Sequence, residues 1–336
     1  MAASSMNWKA IACFLLAPTA ALIAQGFRGG PPMRNHTATQ ARPLQLEPAT
    51  EKPPGQNQST ISESGAERSV RSNAIPDHLV GPFPSPGNPN RIAEQRYAFQ
   101  IPANPRPQPQ ITWLHHPAGA QGPPNQPFGV ALNGVLFDPG TAEFWRGDRD
   151  LGWNYEALGG AVGLGLDEHH AHVQPNGAYH YHGLPKPVMD QLALAPDQHS
   201  PIVGWAADGF PIYALRGHAD PQNAASPMKT LRSSYSLKPG QRPAPPAGPG
   251  GAHDGAFVQD YQFVSGHGDL DECNGRICVT PEFPNGTYAY FLTAEWPVIP
   301  RGFRGEPASL RGEGGMTPGG SGKGKGKGKG KGPPSI

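Results

Sequence analysis

Five of the chain's thirteen histidines fall between 169 and 182, in the run Asp167-Glu168-His169-His170-Ala171-His172-Val173-Gln174-Pro175-Asn176-Gly177-Ala178-Tyr179-His180-Tyr181-His182-Gly183. Neutral imidazole nitrogens are ligands for zinc, copper, iron and nickel, and among divalent ions the affinity order peaks at copper. The spacing suits a shared ion. On an extended strand successive side chains point to opposite faces, so His180 and His182 take one face and Tyr179 and Tyr181 the other. His170 and His172 repeat that spacing, and Asn176-Gly177 between the two pairs is a strong hairpin signal. His170, His172, His180 and His182 are therefore the expected ligand set, for copper or zinc. Asp167 and Glu168 stand beside it as a further ligand or as groups that hold an imidazole tautomer.

The strand that must carry this set has an echo. Asn176-Gly177-Ala178-Tyr179-His180-Tyr181-His182 is mirrored by Asn285-Gly286-Thr287-Tyr288-Ala289-Tyr290-Phe291. The turn and both tyrosines recur, while Ala289 and Phe291 replace the histidines. Turn and tyrosines serve the pleated strand; the histidines are not needed for it.

Around these segments Pro and Gly recur every few residues, with 42 and 45 in the chain, and no long stretch keeps a helical period. Short β-type runs are expected at 96–101, 128–137, 178–182, 202–206, 211–215, 256–264 and 286–293, separated by Asn-Gly, Asp-Gly and Asp-Pro-Gly turns. One short helix is expected within 150–164. The fold class is mainly β: a single β-rich sandwich or irregular barrel with long Gly/Pro-rich loops and at most short helices.

Other chemistry is thinner. Asp208, in Ala207-Asp208-Gly209-Phe210-Pro211, is the candidate catalytic carboxylate outside the cluster, as partner of a histidine in acid–base work. An Asp-Gly turn explains it equally well. His115-His116, His253 and His267 are further candidate ligands. Cys273 and Cys278, with Asn274-Gly275 between them, favour a local disulfide in an exported protein. The sequence holds no nucleophile elbow, zinc-protease helix, phosphate loop or dinucleotide fingerprint.

The ends bound the domain. Residues 1–25 read as a secretory signal, with Lys9 ahead of an apolar run that Pro18 interrupts and that is too short for a membrane span. Residues 26–94, rich in polar residues and Pro, read as a disordered linker. Residues 95–305 form the domain, and 306–336 a flexible Gly/Lys-rich tail. Five of the 27 basic residues sit in that tail, leaving 22 against 26 acidic ones. A mildly acidic body offers no nucleic-acid footprint; the tail suits anionic cell-surface polymers.

The histidine run resembles the signature of the YHYH-domain family of exported bacterial proteins. So do Phe137-Asp138-Pro139, Trp153-Asn154-Tyr155-Glu156-Ala157-Leu158, Asp208-Gly209-Phe210-Pro211-Ile212-Tyr213, Asp260-Tyr261, Leu270-Asp271-Glu272-Cys273-Asn274-Gly275-Arg276, Thr280-Pro281-Glu282-Phe283-Pro284 and Gly286-Thr287-Tyr288-Ala289-Tyr290-Phe291-Leu292-Thr293. The resemblance implies export, to the periplasm, cell surface or medium, and fixes the domain's extent; it supplies no substrate. Cys278 falls outside the family's usual pattern, which weakens the case for the disulfide. Three functions compete. The first is metal binding by the histidine cluster, for sequestration or with an open position for hydrolysis or redox chemistry. The second is a metal-independent hydrolase of envelope or extracellular polymers using His/Asp acid–base chemistry. The third is a structural or adhesive surface protein.

Overall fold

Short, Gly/Pro-punctuated runs cannot make long elements, and the described residues fold accordingly into short strands with one short α-helix. The computed structural model describes residues 35–114 and 126–310. An eight-stranded mixed sheet dominates. Its spatial order is Gly275–Cys278, Thr287–Leu292, Pro211–Ala214, Gly204–Ala206, Gly129–Ala131, Leu136–Phe137, Tyr179–Tyr181 and Ala171–Val173. A three-stranded antiparallel sheet, Ser59–Ser64, Glu67–Ser72 and Tyr97–Pro102, contributes Val70, Phe99 and Ile101 to the same core as Phe128, Val130 and Tyr290 of the large sheet. The expectation of a mainly β domain holds, with the large sheet open rather than closed into a barrel among the described residues.

The large sheet reads the same from either end. At its centre Gly129–Ala131 pairs antiparallel with Gly204–Ala206, Gly129 opposite Ala206 and Ala131 opposite Gly204. Each central strand turns into its neighbour through a matching corner. Ala131 N donates to Val135 O at 2.8 Å and Ala206 N to Phe210 O at 3.0 Å, with Gly134 at φ +78° and Gly209 at φ +91°. Those neighbours then pair in parallel with the tyrosine strands, Phe137 opposite Tyr181 and Ile212 opposite Tyr290. An outer antiparallel strand closes each half, Ala171 opposite Tyr181 and Gly275 opposite Tyr290. The sequence echo is thus one part of a two-fold internal repeat covering all eight strands.

Three expectations need correction. Residues 35–94 are not a linker: they hold two strands and bury Val70, Ile75 and Val80. The segment is too polar to form its own core, but it needs none, because it lays a few aliphatics on a core that the following residues supply. Asn57, Asn73 and Asn88 satisfy backbone groups along it. No helix forms within 150–164, where Gly160 adopts φ +65° among turns and bends; the helix is Lys186–Leu194, entered through Pro185. Cys273 and Cys278 are free thiols, buried in different core clusters, and not a local disulfide. The strand Gly275–Cys278 carries the second cysteine away from the turn that holds the first. Of the expected tail, residues up to 310 pack, with Ala308 N donating to Ala207 O and Leu310 buried. The expected signal and the Lys/Gly repeat lie outside the described residues.

Candidate metal centre

The hairpin that carries the histidines is set by Asp167. Its Oδ1 accepts from His169 N at 2.9 Å and Ala171 N at 3.3 Å, while Oδ2 accepts from Tyr179 OH at 2.7 Å and Gly81 N at 3.0 Å. The carboxylate is fully used in starting the outer strand and tying it to the tyrosine strand and the N-terminal segment. From there the register is regular. His172 stands directly opposite His180, and His182 lies two residues further on the same face, as alternation requires.

Three rings converge. His182 Nε2 lies 3.0 Å from His180 Nε2 and 3.1 Å from His172 Nε2. Two of the remaining ring nitrogens are held from behind: His172 Nδ1 meets Leu164 O at 2.8 Å, and His180 Nδ1 meets Ala178 O at 3.2 Å. A carbonyl can only accept, so each of these Nδ1 atoms carries the proton and each Nε2 presents a lone pair. Three nitrogens this close require a positive centre between them, either a proton or a metal ion. The His182 ring also faces the Pro139 carbonyl, and a proton on one of the three Nε2 atoms can serve as that centre in the metal-free protein. An ion bound at 2.0–2.1 Å by adjacent imidazoles sets their nitrogens roughly 3 Å apart, and both separations from His182 Nε2 match.

The environment keeps the rings neutral. Burial, with smaller help from neighbouring rings, lowers the pKa of His172 to about 3, and burial lowers that of His180 to about 4. His182, 1% exposed, is pushed well below the usual value by burial, then by His180, His172 and Arg301. Arg301 is a residue the sequence reading missed. It pairs in the interior with Glu156 at 2.9 Å and donates to Pro139 O at 2.7 Å. Neutral imidazole is the ligand form, so burial keeps all three rings ready to bind at ordinary pH.

The fourth expected ligand stands apart. His170 has φ +54°, which breaks the alternation one residue before the strand begins, and its Nδ1 meets Leu184 O at 3.0 Å. Its ring packs over Gly183, where a Cβ would come within 3.0 Å of it. Among the described residues, only His172, His180 and His182 form a group of three or more potential ligands close enough to share an ion. His253 and His267 are not in it, and His115 and His116 lie outside the described residues. On the opposite face, His169 and His78 pack at 4.0 Å between ring centroids, and His78 Nε2 meets Tyr181 OH at 2.7 Å.

Asp208 proves to be a turn residue whose role the repeat explains. Its Oδ2 accepts from Tyr290 OH at 2.5 Å and Gly305 N at 2.8 Å, and its Oδ1 from Phe210 N at 3.4 Å. Its counterpart Asn133 accepts from Val135 N and donates to Tyr181 OH at 2.9 Å. Both fix the second tyrosine of their half, and in the other half an amide suffices. Burial raises the Asp208 pKa to about 6, but its bonds go to Tyr290 and the backbone, not to a histidine. Comparing Gly129-Val130-Ala131-Leu132-Asn133-Gly134 with Gly204-Trp205-Ala206-Ala207-Asp208-Gly209 would have revealed this from sequence.

Residues 98–305 match the family described as YHYH protein. The chain belongs to the YHYH family. Comparison with curated proteins and with solved structures gave no match. The three-histidine group lies in the part of this YHYH protein that the family covers, whereas residues 35–94 precede it.

Proposed function

We propose that this YHYH protein is exported and binds one divalent transition-metal ion, copper or zinc, through His172, His180 and His182. The convergence of three Nε2 atoms, two of them proton-free by virtue of their carbonyl partners, carries the reading. Three protein ligands rather than four leave a coordination position open, which suits exchange or catalysis better than a closed structural site. The lysine-rich tail would hold the protein near anionic cell-surface polymers. Elemental analysis of protein purified without an affinity tag tests the metal assignment. One equivalent of copper or zinc, lost in a His180→Asn/His182→Asn variant that still folds, is the expected result. A folded wild-type protein that cannot be loaded with either metal would sink it.

A further inference from the structure

If the triad binds an ion as proposed above, its charge has a consequence. Three neutral imidazoles leave a divalent ion with its full charge of two, and His180 and His182 are only 3% and 1% exposed. Burying uncompensated charge is costly in a low-dielectric interior. The carboxylates of this region do not compensate it as ligands. Glu156 is committed to Arg301, Asp167 to Tyr179 and Gly81, and Asp138 receives the Gln174 amide at 3.4 Å. None supplies an oxygen to the group.

Arg301 and Glu156 neutralise each other as a buried pair, so neither offsets the ion's charge; the Arg301 side chain also donates to Pro139 O, in the loop that follows the strand beside His180. The nitrogen spacing sets the remaining requirement. With His180 and His172 Nε2 3.0–3.1 Å from His182 Nε2, the three could hold one ion, and no fourth side chain of the described residues joins the group. His172 is the least buried of the three. Two surface clefts, one lined by Arg68 and Trp205 and the other by Glu51 and Phe83, lie elsewhere and are lined by none of the three histidines.

We infer that the ion takes a small exogenous anion as its fourth ligand, so that the site selects compact anionic molecules rather than polymer chains. Cobalt(II) substitution reports on this directly, because its visible bands follow coordination number and ligand identity. The apo full-length protein is loaded with cobalt, bound metal is quantified, and azide is titrated in. One cobalt per chain with a saturable spectral shift, reaching one azide per cobalt, is expected. Stoichiometric cobalt with bands that azide never changes would overturn the anion inference and leave the metal reading standing. Failure to bind cobalt, copper or zinc would remove both.

Discussion

Protonation of the metal-free protein offers a quantitative test of the buried triad. In an unfolded chain each histidine titrates near 6.5, whereas in the fold His172 and His180 wait until about 3 and about 4, and His182 is lower than its usual value by a wide margin. Between those limits the unfolded state binds more protons, so stability falls as pH falls. Each ring contributes about 1.4 kcal/mol per pH unit over that window, or ~4 kcal/mol per unit for three. Asp208 acts in the opposite sense. Its folded pKa is raised to about 6, so it adds stability as pH falls through 6 and offsets one of the three protons. The net loss is then ~3 kcal/mol per pH unit between about pH 6 and 4, enough to exhaust a typical domain stability of 5–15 kcal/mol within a few units. Urea unfolding of chelator-treated protein at a series of pH values gives the slope. These four groups give about two net protons in the wild type, and His169 and His199, whose pKa burial also lowers, add to the slope in the same sense. In His180→Asn/His182→Asn the slope should drop by about two, leaving the part that His169 and His199 supply. Zinc added to the wild type should raise stability and move the acid limb to lower pH. An unchanged slope in the double variant would refute the claim that these rings are buried neutral.

The other predictions separate structural residues from the site. His170→Ala should keep full metal stoichiometry and lose ~1 kcal/mol with the Leu184 hydrogen bond, while His172→Ala should lose the metal; elemental analysis and thermal melts read both. Asp208→Asn should also keep the metal, and should cost roughly 1–3 kcal/mol because Gly305 N loses an acceptor, as urea unfolding would show. Deleting residues 35–94 removes three fully buried aliphatics worth ~1.5–3 kcal/mol each, so the remainder should lose cooperative melting by calorimetry. Cys273 and Cys278 should resist a thiol reagent in the native protein and react without reductant once it is denatured.

What the sequence disclosed depended on whether the cause was local. Alternation placed His180 and His182 on one face, and the Asn-Gly turn brought His172 across from them, because both are properties of a few consecutive residues. His170 obeyed the same spacing but not the same backbone: Asp167 binds the amides of His169 and Ala171 and forces His170 to φ +54° between them. That turn is set by a carboxylate three residues away, which a period of two does not register. The N-terminal strands were hidden for a related reason. Composition judges a segment by what it can bury alone, and Val70 and Ile75 are buried by Phe99, Val130 and their neighbours in a shared core.

The internal repeat gives the strongest argument about the histidines, because it holds the scaffold constant. Asp271 binds Cys273 N and Gly275 N as Asp167 binds His169 N and Ala171 N, and it receives Tyr288 OH as Asp167 receives Tyr179 OH. Asn274 sits at φ +53°, the match of His170. Phe291 N donates to Asn274 O as His182 N donates to His170 O. The positions of His172, His180 and His182 are taken in the second half by Arg276, Ala289 and Phe291, and the latter two pack with Tyr213 and Leu231 in a small apolar core. The same hairpin therefore folds with no histidine at any of the three positions. Three buried imidazoles each forgo solvation and, below neutral pH, cost stability that alanine and phenylalanine do not. A fold that places Arg276, Ala289 and Phe291 at these positions in one half and keeps three costlier imidazoles in the other supports the proposed role of those rings in holding a metal ion.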